Sequence, residues 1–479
     1  MTFTVDNSIL LLSFLLIVGV MMTKFSSRLG VPSLVFFIAV GLLLSKFIYY
    51  DDAYLTQLFG ILALIVILFE GGLQTKWNNV KPVIVPSAIL ATVGVLITAG
   101  IIGVLAKIIL DLTWLEGMLF GAIVGSTDAA AIFAVLGTKN IKTKLTATLE
   151  AESGTNDPMA IFLTISLIEL IQHPDTSFAS LILGFVWQMG LGLLMGVMLG
   201  KASVWIINKI NLDSSGLYPV LSMALAILTY SGTAMLNGSG LLAVYVMAVW
   251  VGNSDLTYRH SIFRFNEGFA WMMQISMFIL LGLLVFPDQL VSVIWQGLGL
   301  SILLMFVARP IGVFISMFFL KYNMKEMTFI SWAGLRGAVP IVLATYPLIA
   351  GLENSQLIFN VVFFVVLTSA LVQGSTVSFV AGKLGLLGKQ KAIAPHTLEL
   401  VSIGKTNSEI IEIDVEEQSP VAGKKIQHAE LPEDALITAI VRQDKIITPR
   451  GQTVIEPGDV LYVLLPKNSR EKIKQQLKS

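Results

Sequence analysis

Long apolar runs, interrupted at intervals by charges, glycine or proline, dominate the chain as far as about residue 385. Runs bounded in this way fall at about 8–24, 31–49, 55–73, 82–109, 114–137, 147–171, 180–208, 216–235, 239–252, 262–286, 289–320, 326–350 and 355–382. A helix needs about 20 apolar residues to cross the hydrocarbon of a bilayer. The pattern therefore predicts thirteen membrane spans, the ninth short and the eleventh divisible at Arg309-Pro310. Beyond residue 390 the pattern changes to short β-rich runs. LELVSI and EIIEIDV are two of them, ALITAIVRQDKIITP reads as a hairpin turning near Gln443-Asp444, and VIEPGDVLYVLL carries a Pro-Gly turn into a buried strand. SPVAGKKIQHAELP reads as a short helix opened by Ser419-Pro420, and SREKIKQQL as a terminal helix.

Composition agrees with this division. The chain is 55% hydrophobic and 13% charged, against about 25% charged in a soluble domain. Residues 392–479 hold 24 of its 62 charges. The expected organisation is a transmembrane domain over 1–390 and a small α+β domain over 391–479. The first apolar run lacks a basic leader and a small-x-small cleavage site before Lys24, so it reads as an uncleaved span. With no cysteine in 479 residues, disulfides, thiolate nucleophiles and zinc–thiolate sites are excluded. Placing the N-terminus outside puts sixteen Lys and Arg in the inner loops and only Lys46 and Lys107 in the outer ones. That bias predicts a cytoplasmic tail.

Thirteen spans suggest two sets of six around a central one. Gly125-Ser126-Thr127-Asp128 in span 5 and Gly334–Pro340 in span 12 then occupy matching fifth positions. Transporters built from inverted repeats place their sites where such paired helices are broken. Acids in apolar spans are functional candidates, because burying them in hydrocarbon is costly. Asp157 follows Asn156 and precedes Pro158, which cannot donate a backbone hydrogen bond and so loosens the helix. A carboxylate there can hold a proton or a monovalent cation, and that competition suffices for exchange. Glu152 needs a partner in the membrane. Arg336 is the expected one, in a structural ion pair rather than a transport role. Asp128 is either a charge balancer for the broken helix ends or a direct ligand, with Thr127 offering oxygen. Ser153 and Thr155 bring hydroxyls beside Asp157. Arg309 is interfacial or paired to a buried acid. Glu70, Glu150 and Glu267 sit at span ends and read as solvated.

Four motifs in order, Phe69-Glu70-Gly71-Gly72-Leu73, Gly125–Asp128, Glu152–Pro158 and Gly334–Ala338, resemble the CPA1 family of monovalent cation:proton antiporters, the NhaP-type exchangers. The resemblance covers roughly residues 5–385. The tail resembles the C-terminal RCK (TrkA-C) subdomain of potassium-transport regulators, a combination similar to the bacterial potassium/proton antiporters of that family. No further domain is expected after Ser479. The resemblance implies that Asp157 binds cation and proton, and that Asn156 stands where electrogenic relatives carry a second Asp. Exchange is then one-for-one and electroneutral. It also implies that Thr127, Asp128 and Ser153 lie at the crossing, with the monovalent cation at Asp157, Thr127 and Ser153, and that Glu70 lines the approach. Glu152 and Arg336 match the family's buried ion pair. A homodimer in the cell (inner) membrane, an elevator-like movement, and a small cytoplasmic ligand on residues 396–479, a nucleotide among the candidates, are further implications.

The expected function is antiport of K⁺, or alternatively Na⁺, against H⁺. An RCK-gated cation channel is a remote alternative, because no TVGYG-type filter is present. No metal-ligand spacing or nucleophile–base set suggests an enzyme. No cofactor and no nucleic-acid partner are expected.

Overall fold

The computed structural model describes residues 5–128, 141–387, 408–415, 419–429, 435–442 and 445–466. The chain divides into two compact units, Met1–Gly388 and Lys389–Ser479.

The first unit is helical. Its elements are α1 (Val5–Leu29), α2 (Ser33–Leu44), α3 (Ala53–Gln74), α4 (Trp77–Leu110), α5 (Trp114–Ile123), α6 (Thr143–Gln172) and α7 (Phe178–Lys209). They continue as α8 (Leu217–Met235), α9 (Gly240–Gly252), α10 (Arg259–Leu283), α11 (Ile294–Met317), α12 (Met324–Trp332), α13 (Ala338–Ile349) and α14 (Ser355–Lys383). Every apolar run of the sequence carries helix among the described residues. Among the described residues, six helices are long and apolar enough to cross a membrane on their own. The eleventh run is not divided at Arg309-Pro310. A π-turn over Leu304–Ala308 ends just before them, so the missing N–H of Pro310 falls where the hydrogen-bond register already changes. The second half of the fifth run, residues 129–137, lies outside the described residues.

The packing of these helices is reciprocal. α2 lies on α10, and α9 lies on α3. α1 joins α2 as α8 joins α9, while α4, α5 and α6 cluster as α11–α14 do. Each of α1–α6 thus has a counterpart among α8–α14, with α7 between the two sets. The two equivalent crossings are both glycine contacts. A Cβ on Gly41 would fall 2.2 Å from the Ile279 carbonyl oxygen, and one on Gly252 would fall 2.3 Å from that of Leu73. Apolar helices gain little from the hydrophobic effect in lipid, so such close approach is what dispersion can exploit. The counterparts α4 and α11 each contain a π-turn, at Leu90–Gly94 and Leu304–Ala308.

Among the described residues, the second unit is a four-stranded antiparallel sheet in the order β1-β4-β2-β3, with β1 Ser408–Asp414, β2 Leu436–Arg442, β3 Lys445–Ile447 and β4 Val460–Pro466. The expected hairpin is β2–β3, with Arg442 opposite Lys445. Ile413, Ile440, Leu461, Val463 and Leu465 fill the core. The Pro457-Gly458 turn is tied by Arg442, whose guanidinium donates to both Asp459 oxygens at 2.8 Å. That carboxylate holds Arg442 above the usual arginine range. The expected helix at Ser419-Pro420 is instead a turn followed by a single 3₁₀ turn, Ile426–His428. Its backbone is committed elsewhere. Gly423 N–H donates to Ile455 O at 2.7 Å, and Ile426 N–H donates to Thr453 O at 3.0 Å. LELVSI and SREKIKQQL lie outside the described residues.

Candidate cation and proton site

Two interrupted helices meet in the first unit. α5 opens with a capping box, Thr113 and Glu116, and ends after ten residues. α12 opens with the same device, Asn323 and Glu326, and ends after nine. Non-helical chain follows each, at 124–128 and 333–337. The breaks touch: Asp128 N–H donates to Leu335 O at 2.7 Å. A Cβ on Gly337 would fall 2.0 Å from Asp128 Oδ2, so only glycine admits the Asp128 side chain here.

Half-helices leave partial negative charge at their C-terminal ends and partial positive charge at their N-terminal ends. Arg336 answers the first. Its Nε donates to Val124 O at 2.8 Å and its Nη1 to Gly334 O at 2.5 Å, so one guanidinium sits on the ends of both α5 and α12. Asp128 answers the second, lying against Gly337, the residue that opens α13. Arg336 does not close the expected ion pair with Glu152. Glu152 is fully buried, and its Oε1 meets Nη2 of Arg309 at 2.7 Å, with Arg309 itself 1% exposed. Arg336 turns its Nε and Nη1 to backbone carbonyls, and Arg309 is the partner that Glu152 meets. A Cβ on Gly334 would fall 2.5 Å from Arg309 Nε, so the same break also covers that pair.

α6 runs beside the first break. Ser153 Oγ donates to Thr127 O at 2.9 Å, and Asn156 Nδ2 donates to Thr127 Oγ1 at 2.6 Å. Pro158 inside α6 has no N–H for the Gly154 carbonyl, which frees that oxygen. Asp157 is 5% exposed, and its Oδ1 has no hydrogen-bond partner among the described residues. A buried carboxylate oxygen left open is a position where a cation or proton can bind.

Asp157 lies on a cavity of about 340 Å³, whose walls also include Thr127, Asp128, Ser153 and Glu70. Asn156 is absent from that lining. It is buried behind Thr127 and orients it. Thr155 bonds back along its own helix, to Ala151 O at 2.7 Å. Glu70 accepts from Gln74, and its α3 wall faces α6 across the cavity.

The structure adds residues that the sequence reading set aside. Glu150 and Glu267 line the same cavity, and Glu150 accepts from Thr75 Oγ1 at 2.5 Å. A helix-end acid carries no signal of which cavity it will face, so spacing could not find Glu150. Arg309 did carry one: it is an arginine in the middle of an apolar run.

Comparison with known proteins places these features among relatives. Residues 11–383 match the family described as sodium/hydrogen exchanger, transmembrane, and residues 410–478 match the TrkA-C domain. A protein of Shewanella baltica (strain OS223) named K(+)/H(+) antiporter NhaP2 is 39% identical over 475 residues, covering 97% of this chain and 82% of that protein. The K(+)/H(+) antiporter NhaP of Alkalimonas amylolytica is 36% identical over 467 residues, 96% of this chain and 81% of that one. The solved structure of the sodium proton antiporter MjNhaP1 from Methanocaldococcus jannaschii superposes with a TM-score of 0.68 at 25% identity, covering 78% of this chain and all of that one.

Proposed function

Because the chain belongs to the sodium/hydrogen exchanger family, and carries a TrkA-C tail beyond it, we propose that it exchanges K⁺ for H⁺ through Asp157. The protein is a multi-pass membrane transporter and a monovalent cation/proton antiporter. The observation that supports Asp157 as the exchanging group is its open Oδ1 on a cavity beside two interrupted helices. Thr127, Ser153 and Asp128 supply the oxygens around the ion, as hard monovalent cations require. Asn156 holds Thr127 in place and carries no second proton, so exchange is one-for-one and electroneutral. Glu70 lines the approach to the site, with Glu150 and Glu267 on the same cavity. Arg336 and Asp128 hold opposite ends of the broken helices at low electrostatic cost.

Potassium is favoured by the names of the relatives that span 96% and 97% of this chain. Sodium is the second reading. It is favoured by the 28% identity, over 362 residues, to a Na(+)/H(+) antiporter of Methanocaldococcus jannaschii. Proteoliposomes that carry an acid interior and a pH-sensitive dye decide between them. Potassium should dissipate the gradient at lower concentration than sodium. If only sodium does so, the potassium assignment falls. Because proton and cation compete for one carboxylate, the apparent KM for the cation should rise as the pH is lowered.

The lysine distribution favours a cytoplasmic tail in the cell (inner) membrane. The TrkA-C unit suits a regulatory role exercised through a small ligand such as a nucleotide, and the assembly is a homodimer. Crosslinking in native membranes and ligand-dependent transport test these assignments.

A further inference from the structure

α7 presents most of its surface outward, with 11% of its apolar window buried. Two exposed tryptophans mark its length: Trp187 is 59% exposed and Trp205 is 61% exposed. They stand eighteen residues apart, about 27 Å at 1.5 Å per residue, close to the ~30 Å hydrocarbon thickness of a bilayer. Tryptophan favours the two interfaces of a membrane. Trp205 therefore marks the level where headgroups begin on the lysine-rich side.

At that level Lys201, Trp205 and Lys209 form one stripe of α7, spaced four residues apart. Trp250 of α9 faces the stripe, and the four side chains line an open groove together with Val204 and Asn208. Lys201 Nζ lies 5.1 Å from the Trp250 ring centroid, and Lys209 Nζ lies 5.0 Å from that of Trp205. Among the described residues neither lysine closes an ion pair, although each is held over an aromatic face. The groove floor is fixed. Asn208 Nδ2 donates to Asp255 O at 2.8 Å, and Asn208 Oδ1 accepts from Thr257 N–H at 2.8 Å, which ties the end of α7 to the turn between α9 and α10.

We propose that this groove binds the headgroup of an anionic glycerophospholipid. Its phosphate sits between Lys201 and Lys209, and its acyl chains lie along the exposed apolar face of α7. Two unneutralised cations within about 6 Å of that level on either side, on aromatic supports and beside lipid-facing helix, match that ligand in charge, depth and amphipathy. A second copy of this chain would need acids opposite the lysines and would bury the lipid-facing stripe. A free phosphate would satisfy the lysines and leave the acyl-length surface unused.

The test uses the full chain in nanodiscs of phosphatidylcholine with a minority of phosphatidylglycerol, followed by gentle detergent release and native mass spectrometry. The wild type should retain phosphatidylglycerol over phosphatidylcholine. Lys201→Gln with Lys209→Gln should lower the apparent phosphatidylglycerol affinity roughly 30-fold, as expected for two lysines near a charged surface. The control Lys76→Gln with Lys81→Gln changes the same charge elsewhere and should behave as wild type. Lys201→Arg with Lys209→Arg should preserve retention and shows that the fold tolerates the positions. Equal retention in the Gln pair and the wild type overturns the proposal. So does unchanged retention accompanied by a change of oligomeric state, which would assign the groove to a second copy. Displacement of the lipid by millimolar inorganic phosphate would overturn the lipid in favour of the free anion.

Discussion

Asp157 and Glu152 sit five residues apart on α6, and both are buried. Their surroundings make them opposites. Asp157 has an oxygen left open to the cavity, whereas Glu152 faces Arg309 at 2.7 Å. Asp157→Asn should therefore abolish exchange while the protein still purifies as a folded species; pH-dependent exchange surviving in that variant would remove Asp157 from the centre. Glu152→Gln leaves Arg309 charged and unpaired, a change expected to cost about 3–5 kcal/mol. Its signature is a lowered thermal midpoint, with Arg309→Met in the same chain recovering much of the loss. A Glu152→Gln protein of normal stability that has lost transport would place Glu152 in the transport path instead. Asn156 differs from both because it acts through Thr127. Asn156→Ala removes the donor to Thr127 Oγ1 and should raise the KM for the cation more than it lowers kcat. The charges in apolar runs were legible because polar groups in hydrocarbon stand out. The pairing was not. Glu152 had two buried arginines to choose from, and only the fold shows that two backbone carbonyls engage Arg336.

The interrupted helices are a property of elements, and their logic is repeated. In each half a capping glutamate starts the short helix, then reaches the residue that precedes a long one. Glu116 accepts from Asn354, just before α14, at 2.9 Å, and Glu326 accepts from Lys142, just before α6, at 3.2 Å. In each half the long helix then supports the break. Ser153 and Asn156 of α6 hold Thr127, while Ser369 of α14 accepts from Arg336 N–H and Gln373 donates to Trp332 O. The halves differ in charge. α6 carries Asp157 beside its break, and α14 has no acid there. The glycines that permit the breaks were visible in the sequence, whereas the two capping signatures, Thr-x-x-Glu and Asn-x-x-Glu, were first identified in the structure. What could not be read is that the second signature serves the first half's long helix, because nothing local records a contact across 184 residues. Gly337→Ala would force a methyl group onto Asp128, so a lowered thermal midpoint and lost transport are expected. Adding Asp128→Ala should restore the midpoint and leave transport defective. Full function in Gly337→Ala would mean that the breaks do not approach as closely as described.

At the scale of the molecule the apolar runs placed the membrane elements, because hydrocarbon imposes length and satisfied backbone on every span. The tail's strands were legible from alternation and its Pro-Gly turn. The misread stretch after Ser419 was not, because its backbone partners lie some thirty residues further on. Deletion after Gln390 should alter the ligand or pH response of transport without abolishing it; complete loss in a well-folded truncation would make the tail part of the exchanger. The reciprocal crossings have a temporal consequence. Synthesis delivers Gly41 and Gly72 long before Gly282 and Ala248, their partners across the crossings. At about 5–20 residues per second, the early helices wait on the order of ten seconds or more. Insertion and assembly are therefore separate stages, and neither half of the chain can complete its own close contacts. Residues 1–175 and 176–479, expressed as two chains in one cell, should find each other and restore exchange. Each alone should be degraded, because the contacts that finish each half are made by the other.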